Sequence, residues 1–193
     1  MKRIKVVYFG SSIYSGKCLI ELMRVKNVEI IGVCSLKHRN KFNSDVKDLC
    51  KIVKKKNISH IYYNQKKKGE IYDWVKNRSP DFIFCIGWPM ILNKKILNLA
   101  KYKTIGFHPT NIPNNRGRHP IIWSIILGIK YLFPTFFVMT DEVDFGPKIS
   151  QKKIKINKNT NSTELYEGIL KFSKYQIAEV VKRLHYLKKL DLE

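Results

Sequence analysis

The sequence TIGFHPTNIPNNRGRHP, residues 104–120, joins a β-branched and aromatic run to a loop rich in Pro, Asn, Gly and Arg. His108 stands at this junction, at the end of a predicted strand, where α/β proteins usually place their functional groups. Asp144 follows in a second loop, Asp-Phe-Gly-Pro. An imidazole and a carboxylate that meet can move a proton near neutral pH. We therefore take this loop, together with the loop that carries Asp144, as a candidate active site.

Strands and helices alternate on both sides of this loop. Before it, apolar runs predict strands over residues 4–9, 28–35, 58–63, 81–86 and 103–107. Helical patterns between them predict helices over residues 15–24, 44–56, 71–76 and 93–99. After the loop, Pro120 starts a helix that ends before Gly128, and residues 134–139 and 148–156 have β character. This order predicts an α/β fold with a doubly wound, mainly parallel sheet.

The C-terminal segment predicts one long helix over residues 162–187. Its cap candidates lie at residues 160–163, and apolar residues recur at helical spacing, at Leu165, Ile169, Phe172, Ile177, Val180, Val181 and Leu184. Such a face covers one side of the sheet or contributes to a homodimer. With 193 residues, the chain is expected to form a single domain over residues 1–193.

Composition restricts the class of protein. The chain is 44% hydrophobic, and no apolar run approaches the roughly 20 residues that a membrane span needs. Met1-Lys2-Arg3 precedes a short strand instead of a signal-peptide core, so we expect a cytoplasmic protein without a membrane partner. The four cysteines are isolated, with no C-x-x-C spacing. We expect reduced core thiols and no metal site.

The formal charge of +22 raises the question of a nucleic-acid partner. The positive residues are mostly Lys and are scattered along the chain, whereas a binding groove would favour Arg with interleaved aromatic residues. We therefore expect a solvated basic surface and no nucleic-acid partner. Such a field attracts phosphorylated small molecules.

Residues 104–120 and Asp144 resemble the folate-dependent formyltransferases. That family carries a pattern close to Asn-x-His-x-Ser-x-Leu-Pro-x-x-Arg-Gly-x-x-Pro, followed by Asp-x-Gly-x-Ile-Ile. His108, Asp144 and the Arg-Gly-x-x-Pro segment agree with it, Thr110 replaces the usual Ser, and Gly106 stands where the family has its catalytic asparagine. The resemblance covers residues 4–151 and implies a Rossmann-like formyltransferase fold.

The resemblance also implies a reaction and a set of site residues. The donor would be 10-formyltetrahydrofolate, and the acceptor a small-molecule amine that carries phosphate. His108 would donate to the developing oxyanion or shuttle the amine proton, with Asp144 beside it and Gly106 in the catalytic set. Folate would lie against Ile86, Gly87, Trp88, Met90, Leu92, Val138, Thr140, Asp141 and Val143. The acceptor would contact Gly10, Ser11, Ser12, Thr110, Arg116, Gly117 and Arg118.

Several of these residues have a structural alternative. His108 can be a loop or capping residue, and Asp144 can be a turn residue. Trp88 can be a core residue, the segment 10–15 a plain tight turn, and Arg116 and Arg118 ordinary surface arginines. The missing asparagine leaves Asn111 or loop N–H groups as substitute donors.

Three functions remain open. The leading one is an N-formyltransferase for a nucleotide-linked amino sugar in glycan biosynthesis, because the Arg-Gly-x-x-Pro-Ile form is close to the sugar enzymes. The alternatives are a glycinamide ribonucleotide formyltransferase and a catalytically weakened, formyltransferase-like binding protein. The methionyl-tRNA enzymes carry a further C-terminal domain, so the length of this chain disfavours tRNA as acceptor.

Overall fold

The computed structural model describes residues 3–37 and 45–189. The chain divides into two compact units, Met1–Ile105 and Gly106–Glu193. The sequence prediction of one domain stays a prediction.

The first unit is built on a parallel sheet. Its strands are β1 (Ile4–Phe9), β2 (Val28–Ser35), β3 (His60–Tyr62) and β4 (Phe82–Cys85), in the order β3-β2-β1-β4. Each of these neighbouring pairs is parallel. Almost every residue of β1 and β4 is buried, which explains why β4 is wholly apolar and β1 is apolar except for Lys5. The helices are α1 (Ile13–Arg24), α2 (Leu49–Lys54), α3 (Lys68–Lys76) and α4 (Lys94–Leu97).

All four helices of this unit begin at residues other than those predicted; α3 begins at Lys68 instead of residue 71, and α4 at Lys94 instead of residue 93. Helix α1 starts earlier because the Ser12 side chain caps it, accepting from the Ser15 N–H at 3.1 Å. Helix α2 starts later than predicted: Asp48 is its N-cap, and residues 45–47 bond the backbone of residues 11–13 instead. The predicted start at Ser44 lies outside the described residues. A 3₁₀ turn, Gln65–Lys67, precedes α3 and was not predicted.

The strand β5 (Lys103–His108) leads from the first unit into the second. There follow α5 (Pro120–Ile126), β6 (Tyr131–Leu132), β7 (Thr135–Val138), β8 (Lys148–Gln151), β9 (Ile154–Lys155) and α6 (Ser162–Lys189). Strands β7 and β8 are antiparallel, and β6 pairs with β9 in a separate two-stranded sheet. The prediction of one β segment over residues 148–156 was wrong, because the chain leaves the large sheet after Gln151 to pair with β6.

The strand order of the large sheet is β3-β2-β1-β4-β5-β7-β8. Its first pairs are parallel and its last pair is antiparallel. The predicted α/β class, with a mainly parallel sheet and a long C-terminal helix, is confirmed.

Helix α6 closes the core of the second unit. Its start is a reciprocal cap, in which the Glu164 N–H donates to Asn161 Oδ1 at 3.0 Å and the Asn161 N–H donates to Glu164 Oε2 at 3.2 Å. Its apolar face contacts α5, β8 and β9, and six of its apolar residues are buried: Leu165, Ile169, Ile177, Val180, Val181 and Leu184. These contacts favour packing within the unit over the homodimer alternative.

All four cysteines are free and buried. Burial raises the pKa of the Cys50 thiol to about 12 and the pKa of Cys18 and Cys34 further still, so these three groups stay protonated and unreactive at neutral pH. No helix within the described ranges is long and apolar enough to cross a membrane.

Replacing Leu184 by Ala tests the packing of α6. Leu184 is fully buried, whereas Tyr186 on the same helix is 63% exposed. We expect Leu184→Ala to lower the free energy of unfolding by about 2–5 kcal/mol, because it leaves a cavity, and Tyr186→Ala to change it by less than about 0.5 kcal/mol. Urea denaturation measures both. Equal effects of the two changes would contradict this packing.

Candidate active site

The predicted catalytic pair meets in the second unit. His108, at the end of β5, is 7% exposed, and its Nδ1 lies 3.5 Å from Asp144 Oδ1. Asp144, in the loop that follows β7, has a left-handed backbone with φ of 51°. The Gly117 N–H lies 3.4 Å from Asp144 Oδ2. The structure thus brings together three residues that the sequence motif separates.

The environment of His108 determines its protonation. Burial lowers the pKa of the imidazole, while the Asp144 carboxylate and the Asn115 carbonyl raise it. Burial is the largest of these effects, so the ring is neutral at pH 7. Because Nδ1 faces the carboxylate, it carries the proton, and Nε2 keeps its lone pair. Nε2 is buried and has no hydrogen-bond partner within the protein, so it is available to accept a proton.

The loop after His108 is held by internal hydrogen bonds. The Thr110 hydroxyl donates to the Asn115 carbonyl at 2.5 Å, the same carbonyl that interacts with the His108 ring. The Thr135 hydroxyl in turn donates to the Thr110 carbonyl at 3.0 Å. Thr110 therefore has a positioning role here, and its predicted contact with the acceptor stays a prediction.

Gly106 faces a closed apolar wall. A Cβ atom at this position would lie 2.7 Å from Met139 Cγ and 2.8 Å from Phe137 Cζ. Real Cβ contacts are longer, so the two side chains occupy the space into which a residue at position 106 would project. The side chain of the family's asparagine does not fit here. Asn111, one suggested substitute, has its Oδ1 bonded by Lys148 Nζ at 3.0 Å and Gln151 Nε2 at 3.4 Å.

The loop that carries Asp144 is closed by its own hydrogen bonds. The Val138 N–H donates to the Pro147 carbonyl at 2.9 Å, and the Thr140 hydroxyl donates to the Phe145 carbonyl at 2.9 Å. Val138 is buried, whereas Thr140, Asp141 and Val143 are exposed. These are the residues predicted to contact folate in this unit, and they lie on the loop that positions Asp144.

The two arginines of the first loop differ in their surroundings. Arg116 forms an ion pair with Glu142, a partner that the sequence prediction did not include. Arg118 is exposed. Gly117 between them has φ of 114°, a backbone conformation that favours glycine. Of the two guanidinium groups, Arg118 is the better placed to receive an anion.

In the first unit, the loop after β1 that was predicted to contact the acceptor lies against the loop after β4 that was predicted to contact folate. The Ser11 N–H donates to the Gly87 carbonyl at 3.2 Å. A Cβ atom on Gly10 would lie 2.7 Å from the Ile86 carbonyl oxygen, and one on Gly87 would lie 2.1 Å from Ser12 Oγ. Both glycines thus allow the loops after β1 and β4 to approach closely.

The predicted aromatic surface for folate is packed on two sides. Trp88 makes edge contacts with Phe9 at 5.6 Å and with Tyr63 at 5.4 Å between ring centroids. It remains half-exposed, Met90 is half-buried and Leu92 is buried. Both the packing role and the folate role of Trp88 agree with this geometry.

The sequence prediction missed four residues that shape the site. The Asn115 carbonyl is a backbone atom, so residue type could not reveal it. In the sequence, Phe137 and Met139 look like ordinary strand residues. Only their short distance from Gly106 shows that they fill the space beside it. Glu142 was the one recognisable signal, since it is an acidic residue in the same loop as Asp144.

Comparisons with known proteins agree with the motif. A sequence model of the family described as Formyl transferase matches residues 2–181. The methionyl-tRNA formyltransferase of Mycoplasma genitalium is 29% identical over 186 residues, which is 93% of this chain and 58% of that protein. That of Mycoplasma pneumoniae is 30% identical over 172 residues, 86% of this chain and 54% of that protein. The chain thus spans somewhat more than half the length of these curated relatives.

Solved structures share the fold. Phosphoribosylglycinamide formyltransferase from Bacillus halodurans aligns with a TM-score of 0.79 and 19% identity, over 93% of this chain and 95% of that chain. A formyltetrahydrofolate deformylase from Pseudomonas syringae aligns with a TM-score of 0.79 and 20% identity, over 97% of this chain and 62% of that chain.

Substitutions at Gly106 test the apolar wall. We expect Gly106→Ala and Gly106→Asn to lower the free energy of unfolding by about 1–3 kcal/mol through overpacking, and Gly106→Asn not to raise activity. Gly69→Ala is the matched control, because a Cβ atom there has no atom within 4 Å. Denaturation curves and initial rates measure the effects. A stable Gly106→Asn variant with higher turnover would show that the wall is not closed.

The titration of His108 tests its pairing with Asp144. In the wild type we expect a pKa below the ordinary value of about 6.5, because burial outweighs the opposing carboxylate. Asp144→Asn removes an interaction that raises the pKa, so the midpoint should move further down. NMR titration of the imidazole measures both values. A higher pKa in Asp144→Asn would contradict the pairing.

Proposed function

Because the chain belongs to the formyl transferase family, we propose that it transfers a formyl group from 10-formyltetrahydrofolate to a primary amine on a phosphate-bearing acceptor. The buried, unpaired Nε2 of His108, with Asp144 at the other ring nitrogen, is the observation that carries this proposal. Formyl transfer to an amine needs a base that is unprotonated at pH 7 and takes the proton of the attacking amine. It also needs an acid close by that protonates the leaving nitrogen.

His108 supplies both roles in turn. Its neutral Nε2 accepts the proton from the attacking amine, and the imidazolium so formed is stabilised by Asp144. The same Nε2–H then donates to the nitrogen that leaves, which restores the neutral ring. A lowered pKa suits this cycle, because the base form predominates before the reaction begins.

The oxyanion on the formyl oxygen has fewer donors here than in the family pattern. Gly106 offers no side chain, and Phe137 and Met139 fill the space beside it. Loss of one such donor typically costs about 10²- to 10³-fold in rate. We propose that the His108 imidazolium provides the charge stabilisation and that turnover is correspondingly slow.

Folate supplies the formyl group, and each unit by itself contains residues that we propose contact it. In the first unit these are Ile86, Gly87, Trp88, Met90 and Leu92, and in the second Val138, Thr140, Asp141 and Val143. The half-exposed, edge-packed Trp88 provides apolar surface, and the fully buried Ile86 packs beneath the loop that carries it.

Two acceptors have specific support. A nucleotide-linked amino sugar is favoured by the Arg-Gly-x-x-Pro-Ile segment and by the exposed Arg118, a planar donor suited to phosphate. Methionyl-tRNA is favoured by the names of the curated relatives and by the charge of +22. The chain spans only part of those relatives, so its length does not decide between the two.

A formyl-gain assay tests the function and the acceptor together. The purified chain is incubated with 10-formyltetrahydrofolate and either a panel of nucleotide-linked amino sugars, glycinamide ribonucleotide or methionyl-tRNA, and the product is analysed by mass spectrometry. We expect a formyl gain on one acceptor class. His108→Asn and Asp144→Asn should each lower the rate by about 10²- to 10⁴-fold.

Lys66→Ala, at an exposed residue of the Gln65–Lys67 turn, is the control and should keep the wild-type rate. Wild-type rates in the His108 variant would contradict its role. Folate binding without turnover on any acceptor would contradict the enzyme proposal and support the binding-protein alternative.

A further inference from the structure

The outward face of helix α5 is apolar and uncovered. Four large side chains on this face are half-exposed or more: Ile122 at 50%, Trp123 at 52%, Ile126 at 65% and Leu127 at 62%. The opposite face holds the buried Ser124. A surface helix normally presents polar residues to water, and contiguous apolar patches of this kind mark interaction sites. We call these four residues the α5 patch.

The surroundings of the α5 patch are basic. The chain after α5 returns close to it, since the Ile129 N–H donates to the Ser124 carbonyl and the Ile156 N–H donates to the Lys130 carbonyl. Lys130, Lys153 and Lys155 are exposed in this region, and Lys153 Nζ lies 3.8 Å from the centre of the Tyr131 ring. Residues 118–140 and 145–163 contain no Asp or Glu. Helix α6, which packs against α5, contributes Glu164 and Glu167, and Glu164 is engaged in its own cap.

We propose that the α5 patch docks on a lipid bilayer with anionic headgroups. Exposed aliphatic side chains with a Trp, bordered by lysines, are the composition of surfaces that lie in the membrane interface. The apolar residues enter the boundary of the acyl chains, and the lysines meet the lipid phosphates. This docking is peripheral, which agrees with the lack of a spanning helix within the described ranges. It departs from the sequence expectation of no membrane partner.

The charge of the chain and the small area of the α5 patch argue against a second protein copy or a nucleic acid as its partner. A second copy of the chain would bring together two bodies of formal charge +22, and the patch, on the order of a few hundred Å², is smaller than the roughly 800 Å² per partner of a stable interface. Nucleic acid would use stacking aromatic residues and Arg, whereas three of the four patch residues are aliphatic. A bilayer requires neither shape complementarity nor a large contact.

Vesicle flotation tests the proposal with the full chain. We expect binding to vesicles of phosphatidylcholine with phosphatidylglycerol, weak or no binding to phosphatidylcholine alone, and loss of binding as salt is raised. Ile126→Ser should lower the partition coefficient about tenfold, because it removes apolar surface from the bilayer. Ile91→Ser is the matched control, since Ile91 is 79% exposed and lies outside the patch. It should bind as the wild type does.

The emission of Trp123 gives an independent readout. Added anionic vesicles should shift the wild-type fluorescence to shorter wavelength, and Trp123→Phe should abolish the shift while the other two tryptophans remain. Equal binding by Ile126→Ser and the wild type would overturn the proposal. So would the absence of binding to anionic vesicles, and so would a dimer in solution that Ile126→Ser dissociates. None of these results depends on formyl transfer.

Discussion

The second unit is arranged around the buried imidazole of His108. His108 can stay neutral with a defined tautomer only if acceptors meet its Nδ1 and nothing within the protein meets its Nε2. Two loops are folded to provide this arrangement. In the first loop the Thr110 hydroxyl donates to the Asn115 carbonyl. In the second loop the Val138 N–H donates to the Pro147 carbonyl. Residues far apart in sequence therefore serve one proton-accepting atom, and the rest of the unit keeps those loops in place.

The central strands could be predicted from the sequence, whereas several boundaries could not. Strands β1 and β2 were predicted at their exact ends, because most of their residues are buried and the apolar, β-branched character of the sequence begins and ends with the strand. Helix α2 was overextended, because residues 45–47 bond the backbone near Ser11 in preference to forming a helical turn. The split between β8 and β9 escaped prediction for the same reason, since only the pairing with β6 reveals it.

The candidate site, like the fold, could be predicted from the sequence only in part. His108 and Asp144 could be found because their chemistry resides in side chains with a recognisable spacing, and the structure places them 3.5 Å apart. The ion pair of Arg116 with Glu142 and the wall beside Gly106 arise from contacts between segments, which residue types alone do not encode. Sequence thus indicated two candidate catalytic side chains, while the structure shows which groups contact them and which space beside them is closed.

The contact of Gly106 with Phe137 and Met139 constrains how this protein can change. A side chain at position 106 overpacks the wall, and a smaller residue at position 137 leaves a cavity beside the glycine that costs about 3–5 kcal/mol. Each single substitution at these positions is therefore expected to be less stable than the present chain. We expect proteins that descend from this chain either to change residue 106 together with residues 137 and 139, or to keep all three. The packing around Gly106 would then maintain the absence of the asparagine.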